Sequence, residues 1–202
     1  MADNQASVDS LQDTNPEEPE ISPPYPAVLS GSNVLIWDAK ALVGNLPPSN
    51  QFGSTAQGLP LALLPEEATI LLEEDIIRLE LEADPTPTGG VAQECHIPVW
   101  DWPRTPRDEI KLKLYRDLRA KGYFLTSGLK FGGDYLAYPG DSMRYHSHYI
   151  VTLVDWDTGI DPFTLVALGR IGTSVKKTRL LCTWNSLKGR FDYISLSWAQ
   201  MG

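Results

Sequence analysis

Residues 108–126 read DEIKLKLYRDLRAKGYFLT, and the spacing of their apolar residues changes at a glycine. Up to Lys121 the apolar and aromatic residues recur every three or four positions, which is the spacing of one helix face. Gly122 stands where such a helix would end, and YFLT at 123–126 has the composition of a strand. The stretch therefore predicts a helix at 108–121 followed at once by a strand, the beginning of an α/β domain.

Four more strands and one more helix are predicted between this stretch and the C-terminus. The helix is a short one, at residues 161–168. The predicted strands are rich in aromatic and β-branched residues, are separated by turn residues, and lie at 135–138, 149–154, 178–183 and 191–198. One sheet with helices beside it is the expected architecture of this part of the chain.

The preceding part of the chain predicts a smaller mixed α/β unit within residues 32–102. A buried type of strand is indicated by VLIW at 34–37, and the alternating residues 76–82 indicate another. Between them, Pro65-Glu66-Glu67 has the composition of the first turn of a helix. These signals predict a second, smaller hydrophobic core, formed by residues that precede the stretch 108–126 in the sequence.

Proline and glycine residues separate the two units. They are frequent at 84–90 and 98–106, which predicts a flexible connection and then an extended segment. We therefore expect the second domain to cover residues 103–202. Residues 1–31 are rich in acidic residues, proline, serine and asparagine, and are expected to be a disordered acidic tail.

Charge is divided unequally between the two halves of the chain. The net charge of −9 argues at first against a nucleic-acid partner, which normally requires Lys and Arg contacts to phosphate. However, residues 1–102 hold two basic and 17 acidic residues, a net charge of −15, whereas residues 103–202 hold 15 and nine, a net charge of +6. This split indicates a basic working half, although an acidic solubilising tail explains part of it.

Two classes of protein are disfavoured by composition. No run approaches the roughly 18 apolar residues of a membrane-spanning helix, and the polar N-terminus does not resemble a secretory signal, so we expect a soluble intracellular protein without a membrane span. Cys95 and Cys182 match no zinc or redox spacing and are expected to be buried, reduced thiols. No cofactor and no metal are expected.

Polar residues with chemical potential are concentrated at predicted turns of the basic half. Four segments contain them: Lys130–Asp134, Tyr138–Asp141, Arg144–His148 and Gly169–Lys177. Two of the three histidines, a tyrosine and several cations of the chain therefore stand beside strands, where a rigid scaffold can direct side chains toward a ligand.

Three of these residues match the needs of metal-free RNA cleavage by the neighbouring 2′-hydroxyl. The reaction needs a base, an acid for the leaving 5′-oxygen, and positive charge near the phosphate. His146, with an ordinary pKa of about 6.5, can supply the proton, and Lys177 can stabilise negative charge. Tyr138 is a poor base at its ordinary pKa of about 10 unless a cation lies close to it.

Each of these residues also has a plainer interpretation. Tyr138 can pack at a strand end with its hydroxyl on a loop. His146 and His148 are two positions apart and would share a face of a strand, as two metal ligands do, although no cysteine or carboxylate cluster completes a site. Lys177 can be a solvated residue at the start of a strand. From the residues alone, these alternatives stay open.

The order of several longer blocks resembles the tRNA-splicing endonuclease family, specifically the eukaryotic subunit that cuts the 3′ splice site. About 80 residues carry the resemblance, in the family's order and spacing. The blocks are RAKGY at 119–123, KFGGDY at 130–135, YPGD at 138–141, RYHSH at 144–148, GTSVKK at 172–177 and SLSWA at 195–199. Ser142-Met143 departs from the Pro-Leu common in these subunits, and a long charged insertion between the domains of some members is absent.

The resemblance implies roles for three residues and none for a metal. It identifies Tyr138 as the base, His146 as the acid and Lys177 as the group that stabilises the transition state, with a 2′,3′-cyclic phosphate and a 5′-hydroxyl as products. His148 is then expected to be structural, and the roles of Arg144 and Arg170 stay open.

The resemblance also implies a fold and partners. The expected fold is a restriction-endonuclease-like α/β catalytic domain after a small α/β domain. The expected partners are intron-containing pre-tRNA, a second catalytic subunit and two structural subunits, with the strand at 191–198 either pairing with another subunit or lying inside the sheet. The nucleus is the expected compartment. The alternatives are a non-catalytic structural or RNA-binding subunit of the same complex and a metal-dependent nuclease.

Overall fold

Two sheets form the part of the chain that the structure describes. The computed structural model describes residues 24–37, 60–80, 99–142, 144–155 and 157–197. A four-stranded sheet lies in the first two of these ranges and a five-stranded sheet in the others. The α/β class expected from the sequence is thereby confirmed. None of the helices in the described ranges is long and apolar enough to cross a bilayer.

The first sheet has the strand order β3-β2-β1-β4. β1 is antiparallel to β2 and parallel to β4, and Gly31, with a φ of 63°, makes the tight turn between β1 and β2. The helix α1 packs its apolar residues on this sheet, whose core includes Ile36, Leu61 and Leu71. The elements are β1 Tyr25–Ser30, β2 Asn33–Ile36, β3 Leu61–Leu63, α1 Pro65–Glu73 and β4 Ile77–Glu80.

The predicted disordered tail is wrong at its C-terminal end. Residues 25–30 form β1, which lies between β2 and β4. The proline content of residues 1–31 favoured disorder, but Pro26 is tolerated within β1. On the β4 side the neighbouring Tyr25 N–H donates to the Ile76 carbonyl, and on the β2 side pairing begins only at Val28. Residues 1–23, the linker at 84–90 and Cys95 lie outside the described residues, and the boundary near residue 103 stays a prediction.

The second sheet has the order β5-β6-β7-β8-β9, with only β7 and β8 parallel. β9 therefore lies at an edge of the sheet within the described ranges, rather than inside it. The elements are α2 Pro106–Ala120, β5 Phe124–Ser127, β6 Tyr135–Tyr138, β7 Tyr149–Leu153, α3 Pro162–Ser174, β8 Thr178–Asn185 and β9 Arg190–Leu196. The predicted helix at 161–168 is real but continues for six more residues.

α2 supplies much of the core of the second sheet. Its N-terminus is closed by a capping box, in which the Thr105 hydroxyl accepts from Asp108 N–H and the Asp108 carboxylate accepts from Thr105 N–H. The buried face that was predicted from its periodicity packs on the sheet through Leu114, Tyr115 and Leu118. Cys182 lies in the same core as a free thiol, and burial raises its pKa.

Two buried carboxylates join α1 to the core formed by α2 and the second sheet. Glu67 accepts a hydrogen bond of 2.8 Å from the Tyr115 hydroxyl and one of 2.9 Å from Leu64 N–H. Glu66 accepts one from the Tyr135 hydroxyl. Burial raises the pKa of Glu67 to about 7 and also raises the pKa of Glu66, because a charged carboxylate loses its hydration there.

Candidate active site

Three strand ends meet at one end of the second sheet, where strands start or finish, and not at the lateral edge formed by β9. β6 is antiparallel to β7, and β7 is parallel to β8, so the C-terminal end of β6 lies beside the N-terminal ends of β7 and β8. Tyr138 is the last residue of β6, His146 lies three residues before β7, and Lys177 lies one residue before β8. The topology thus brings all three sequence-predicted residues to this end of the strands, which we call the catalytic edge.

Hydrogen bonds between backbones tie the three segments together. His148 N–H donates to the Ala137 carbonyl at 2.8 Å, and Thr178 N–H donates to the His148 carbonyl at 3.1 Å. The Lys177 ammonium adds a bond of 3.2 Å to the Ser147 carbonyl. The two backbone bonds connect Ala137, His148 and Thr178 in a row. Each of the three predicted residues is within two sequence positions of one of these residues.

Tyr138 is half-buried at the end of its strand. Its hydroxyl oxygen accepts a hydrogen bond of 3.2 Å from the Thr126 hydroxyl on β5. This contact fixes the direction of the phenol. The Thr126 hydroxyl is neutral, whereas the sequence argument requires a cation near Tyr138 for it to act as a base. The structure therefore identifies the residue that orients the phenol, and a cation beside Tyr138 stays a prediction.

The segment before β7 presents His146 to solvent. Two backbone N–H groups, those of Arg144 and Tyr145, donate to the Asp141 carbonyl at 2.9 Å each and form a tight turn. Ser147 is buried, whereas His146 on its N-terminal side is exposed. The turn and the buried serine hold the backbone on both sides of the histidine, and exposure leaves its ring accessible to a substrate.

Lys177 is positioned by the way α3 ends. Lys176 has a φ of 54°, and Lys177 N–H donates to the Gly172 carbonyl at 2.8 Å, which turns the chain sharply from the helix into β8. A Cβ at Gly172 would lie 2.8 Å from the Lys177 carbonyl oxygen. The glycine in the block GTSVKK is therefore required by this close approach, and it places the lysine at the catalytic edge.

The segment Lys130–Asp134 does not join the catalytic edge. It precedes β6 and so lies at the opposite edge, where Asp134 accepts from Leu153 N–H at 2.8 Å and pairs with Lys111 at 3.1 Å. Gly132, with a φ of 63°, and Gly133, against the Ile150 side chain, make a tight turn. The structure thus favours the plainer interpretation of these glycines, which is the tight turn.

Arg179 was not singled out from the sequence, although it lies two residues after Lys177. Its guanidinium is completely buried and donates to the carbonyls of Phe131 and Gly132 at 3.0 and 2.9 Å and to the Thr152 hydroxyl at 2.9 Å. It connects β8 to the turn before β6. An arginine within a basic domain gives no sequence signal of such burial.

The described residues contain no group of three or more His, Cys, Asp or Glu side chains arranged to hold a metal ion. His148 is exposed, and its ring meets that of Tyr149 edge to face with 6.3 Å between their centres. The pairing of His146 and His148 as metal ligands therefore finds no third donor among those residues.

Comparison with known proteins gives a consistent result. Residues 109–193 match the family described as tRNA intron endonuclease, catalytic C-terminal domain. The human tRNA-splicing endonuclease subunit Sen34 is 39% identical over 160 residues, which cover 77% of this chain and 47% of that protein. The Saccharomyces cerevisiae subunit SEN34 is 36% identical over 91 residues, covering 44% and 33%, respectively.

Archaeal proteins also match. The tRNA-splicing endonuclease of Hyperthermus butylicus is 36% identical over 95 residues, which cover 47% of this chain and 52% of that protein. The chain thus spans about half or less of the length of these relatives. Tyr138, His146 and Lys177 all lie inside the residues that match the catalytic domain.

Proposed function

We propose that this chain is a catalytic subunit that cuts intron-containing pre-tRNA at the 3′ splice site, because residues 109–193 match the catalytic domain of tRNA intron endonucleases. Among the similar proteins, those named Sen34 support the subunit type. The observation that carries the proposal is the convergence of Tyr138, His146 and Lys177 at the catalytic edge, inside the matched residues.

The proposed reaction begins at the 2′-hydroxyl of the nucleotide before the scissile bond. Tyr138, acting as the phenolate, takes up its proton and becomes the neutral phenol, and the 2′-oxygen attacks the adjacent phosphorus. The bond between phosphorus and the 5′-oxygen of the next nucleotide breaks, and protonated His146 gives its proton to that oxygen. The products are a 2′,3′-cyclic phosphate and a free 5′-hydroxyl, with no atom taken from water.

Lys177 has the electrostatic role in this proposal. Negative charge grows on the non-bridging oxygens of the five-coordinate phosphate, and an ammonium aimed at them stabilises the transition state more than the substrate. Its bond to the Ser147 carbonyl holds the lysine beside the segment that carries His146. Arg144 lies next to this segment with 83% of its side chain exposed, and is available for phosphate contact.

We further propose that the chain works in an assembly with a second catalytic subunit and two structural subunits. The relatives named Sen34 are described as subunits. In the described part of the chain β9 pairs only with β8, so its outer side offers N–H and C=O groups to another strand. An edge of this kind supports strand pairing between subunits.

The test uses the assembled complex and an intron-containing pre-tRNA, with both RNA ends mapped after cleavage. We expect the parent complex to cut in EDTA, because the proposed groups are all side chains. We expect His146→Ala to abolish cutting at the 3′ splice site only, since a loss of at least about 100-fold follows from removing a general acid.

The matched control is His148→Ala, which removes the exposed histidine two positions away. Its cleavage rate is expected to stay near that of the parent, because His148 contributes its backbone to the catalytic edge. Full activity of His146→Ala would contradict the catalytic assignment and favour a structural or RNA-binding subunit. Activity lost in EDTA and restored by magnesium or zinc would favour a metal-dependent nuclease.

A further inference from the structure

An exposed aromatic ring lies directly beside the proposed acid. Tyr145 precedes His146 and is 53% exposed. Its ring carbons Cε2 and Cδ2 lie 2.8 and 2.9 Å from the position that a Cβ on residue 140 would occupy. The ring therefore rests on the backbone of Gly140, and only a residue without a side chain permits this contact.

The backbone that carries the ring is fixed. Tyr145 N–H donates to the Asp141 carbonyl at 2.9 Å, and Ser147 is buried two residues further on. Gly140 itself follows Tyr138 by two residues. The ring is consequently held in a defined place between the segments of the proposed base and the proposed acid, with its Cδ2 and Cε2 carbons against the glycine.

Cationic and imidazole side chains lie on the same turn and at the same end of the sheet, where Arg144 also lies 3.9 Å from the Asp141 carboxylate. His146 is exposed next to the ring, and Arg144 on the other side is one of the most exposed side chains of the turn. Lys176 is exposed at the same sheet edge. A flat exposed ring among cations is the combination with which proteins bind unpaired RNA, since bases stack on the ring and phosphates contact the cations.

We infer that Tyr145 is a stacking platform for the base of one of the two nucleotides that flank the scissile phosphate. This inference rests on the proposed function, since it assigns a nucleotide contact to the same catalytic edge. Stacking is tolerant of base identity because every base has a π-face. Tyr145 would thus position the nucleotide against Tyr138 and His146 and take no part in proton transfer.

The experiment measures single-turnover cleavage by the assembled complex at increasing enzyme concentration. Tyr145→Ala is expected to raise the concentration for half-maximal cleavage by at least about five-fold, the loss of one stacked base. Tyr145→Phe keeps the ring and is expected to stay within about two-fold of the parent, as a neutral surface change does. Gly140→Ala is expected to resemble Tyr145→Ala, because the new Cβ displaces the ring.

Two modified substrates locate the contact. Each lacks one base, on the 5′ or the 3′ side of the scissile phosphate. If the ring stacks on one of these bases, Tyr145→Ala does not further raise the half-maximal concentration with the substrate that lacks that base. A penalty that persists in full with both would overturn the inference, and so would an unchanged half-maximal concentration with the normal substrate.

Controls separate stacking from other effects. Trp37→Ala removes an aromatic residue of similar exposure, 57%, directly after β2, and is expected to leave the half-maximal concentration unchanged.

If Tyr145→Ala does not fold, Tyr145→Leu keeps apolar bulk without a ring. Loss of a subunit from the purified Tyr145→Ala complex would show a protein contact and reject the RNA contact. Inactivity of His146→Ala beside a silent Tyr145→Ala would reject the stacking inference alone, whereas full activity of His146→Ala would reject the proposed function.

Discussion

At the scale of single residues, Arg179 illustrates how a buried cation can be satisfied without a carboxylate. Its three hydrogen bonds reach two backbone carbonyls and one hydroxyl, whereas its Nε has no hydrogen-bond partner among the described residues. Burial lowers the pKa of the guanidinium. The side chain connects the turn at Phe131 and Gly132 to Thr152 on the neighbouring strand β7.

Arg179→Leu should therefore destabilise the chain. Two carbonyls lose their donor, at a cost of about 1–3 kcal/mol for an unsatisfied buried group, partly offset because no charge remains to be desolvated. Urea unfolding of the purified variant should give a lower free energy of unfolding by about 1–3 kcal/mol. Arg190→Leu, at an exposed arginine of β9, is the control and should shift the value by less than about 0.5 kcal/mol. An Arg179→Leu variant as stable as the parent would contradict this role.

Sequence reasoning located the candidate site better than the residues that support it. Tyr138, His146 and Lys177 stand beside turns at strand ends, where polar residues are conspicuous, and the resemblance singled them out. Arg179 and Glu67 were missed because a charge within a strand or a helix is normally exposed. Their burial depends on segments about 50 residues away in the chain, the turn at Phe131 and the helix α2, which no local pattern reveals.

At the scale of elements, periodicity predicted α2 because the helix has one buried face, and the five strands of the second sheet were predicted from their aromatic and β-branched residues between turns. α3 was predicted too short, since residues 169–177 were interpreted as a turn segment between the helix and the next strand. Gly169 and Gly172 are both buried within the helix, and the backbone of Lys177 approaches Gly172 closely. The Thr173 hydroxyl donates a hydrogen bond of 3.1 Å to the Gly169 carbonyl. The glycines thus serve packing inside the helix and do not end it.

Gly172→Ala tests how the end of α3 positions Lys177. The added Cβ meets the Lys177 carbonyl at 2.8 Å, so the helix end and the start of β8 must separate. We expect cleavage at the 3′ splice site to fall by at least about 10-fold, since small displacements of catalytic groups are costly. Gly159→Ala is a matched control, because no atom lies within 4 Å of its Cβ position. Equal rates for the two variants in the assembled complex would show that this glycine does not position the lysine.

At the scale of the whole molecule, the two sheets are connected through protonatable groups. Glu66 and Glu67 on α1 accept from Tyr135 and Tyr115 of the second core. Burial also raises the pKa values of both tyrosines far above their usual value of 10, so they remain donors. The folded state therefore favours the protonated carboxyl groups, because burial of the charged form costs more than the hydrogen bonds to it return.

The stability of the chain should accordingly fall with rising pH. The pKa of Glu67 is raised from 4.5 to about 7 in the folded state. Between these values the folded chain binds the proton more tightly than the unfolded chain, so this group lowers the free energy of unfolding by up to about 1.4 kcal/mol per pH unit. Glu66 acts in the same direction.

Glu67→Gln should flatten this dependence between about pH 5 and 7, because the amide does not titrate. Urea unfolding at several pH values measures the slope. Glu74→Gln, at an exposed position just after α1, is the control and should keep the slope of the parent. A Glu67→Gln variant with the parent slope would show that Glu67 does not change its protonation in this range.

The location of Tyr138, His146 and Lys177, the three proposed catalytic residues, at one end of the sheet has a consequence for how the protein can vary. Inserting one residue just before β7 or β8 would turn the following side chains to the other face of the sheet and remove a catalytic group from its place. The turn at 186–189 lies at the opposite edge, and Leu187 within it is almost wholly exposed. We expect a change of length in this turn to leave the positions of Tyr138, His146 and Lys177 unchanged, so the two ends of the sheet can diverge at different rates.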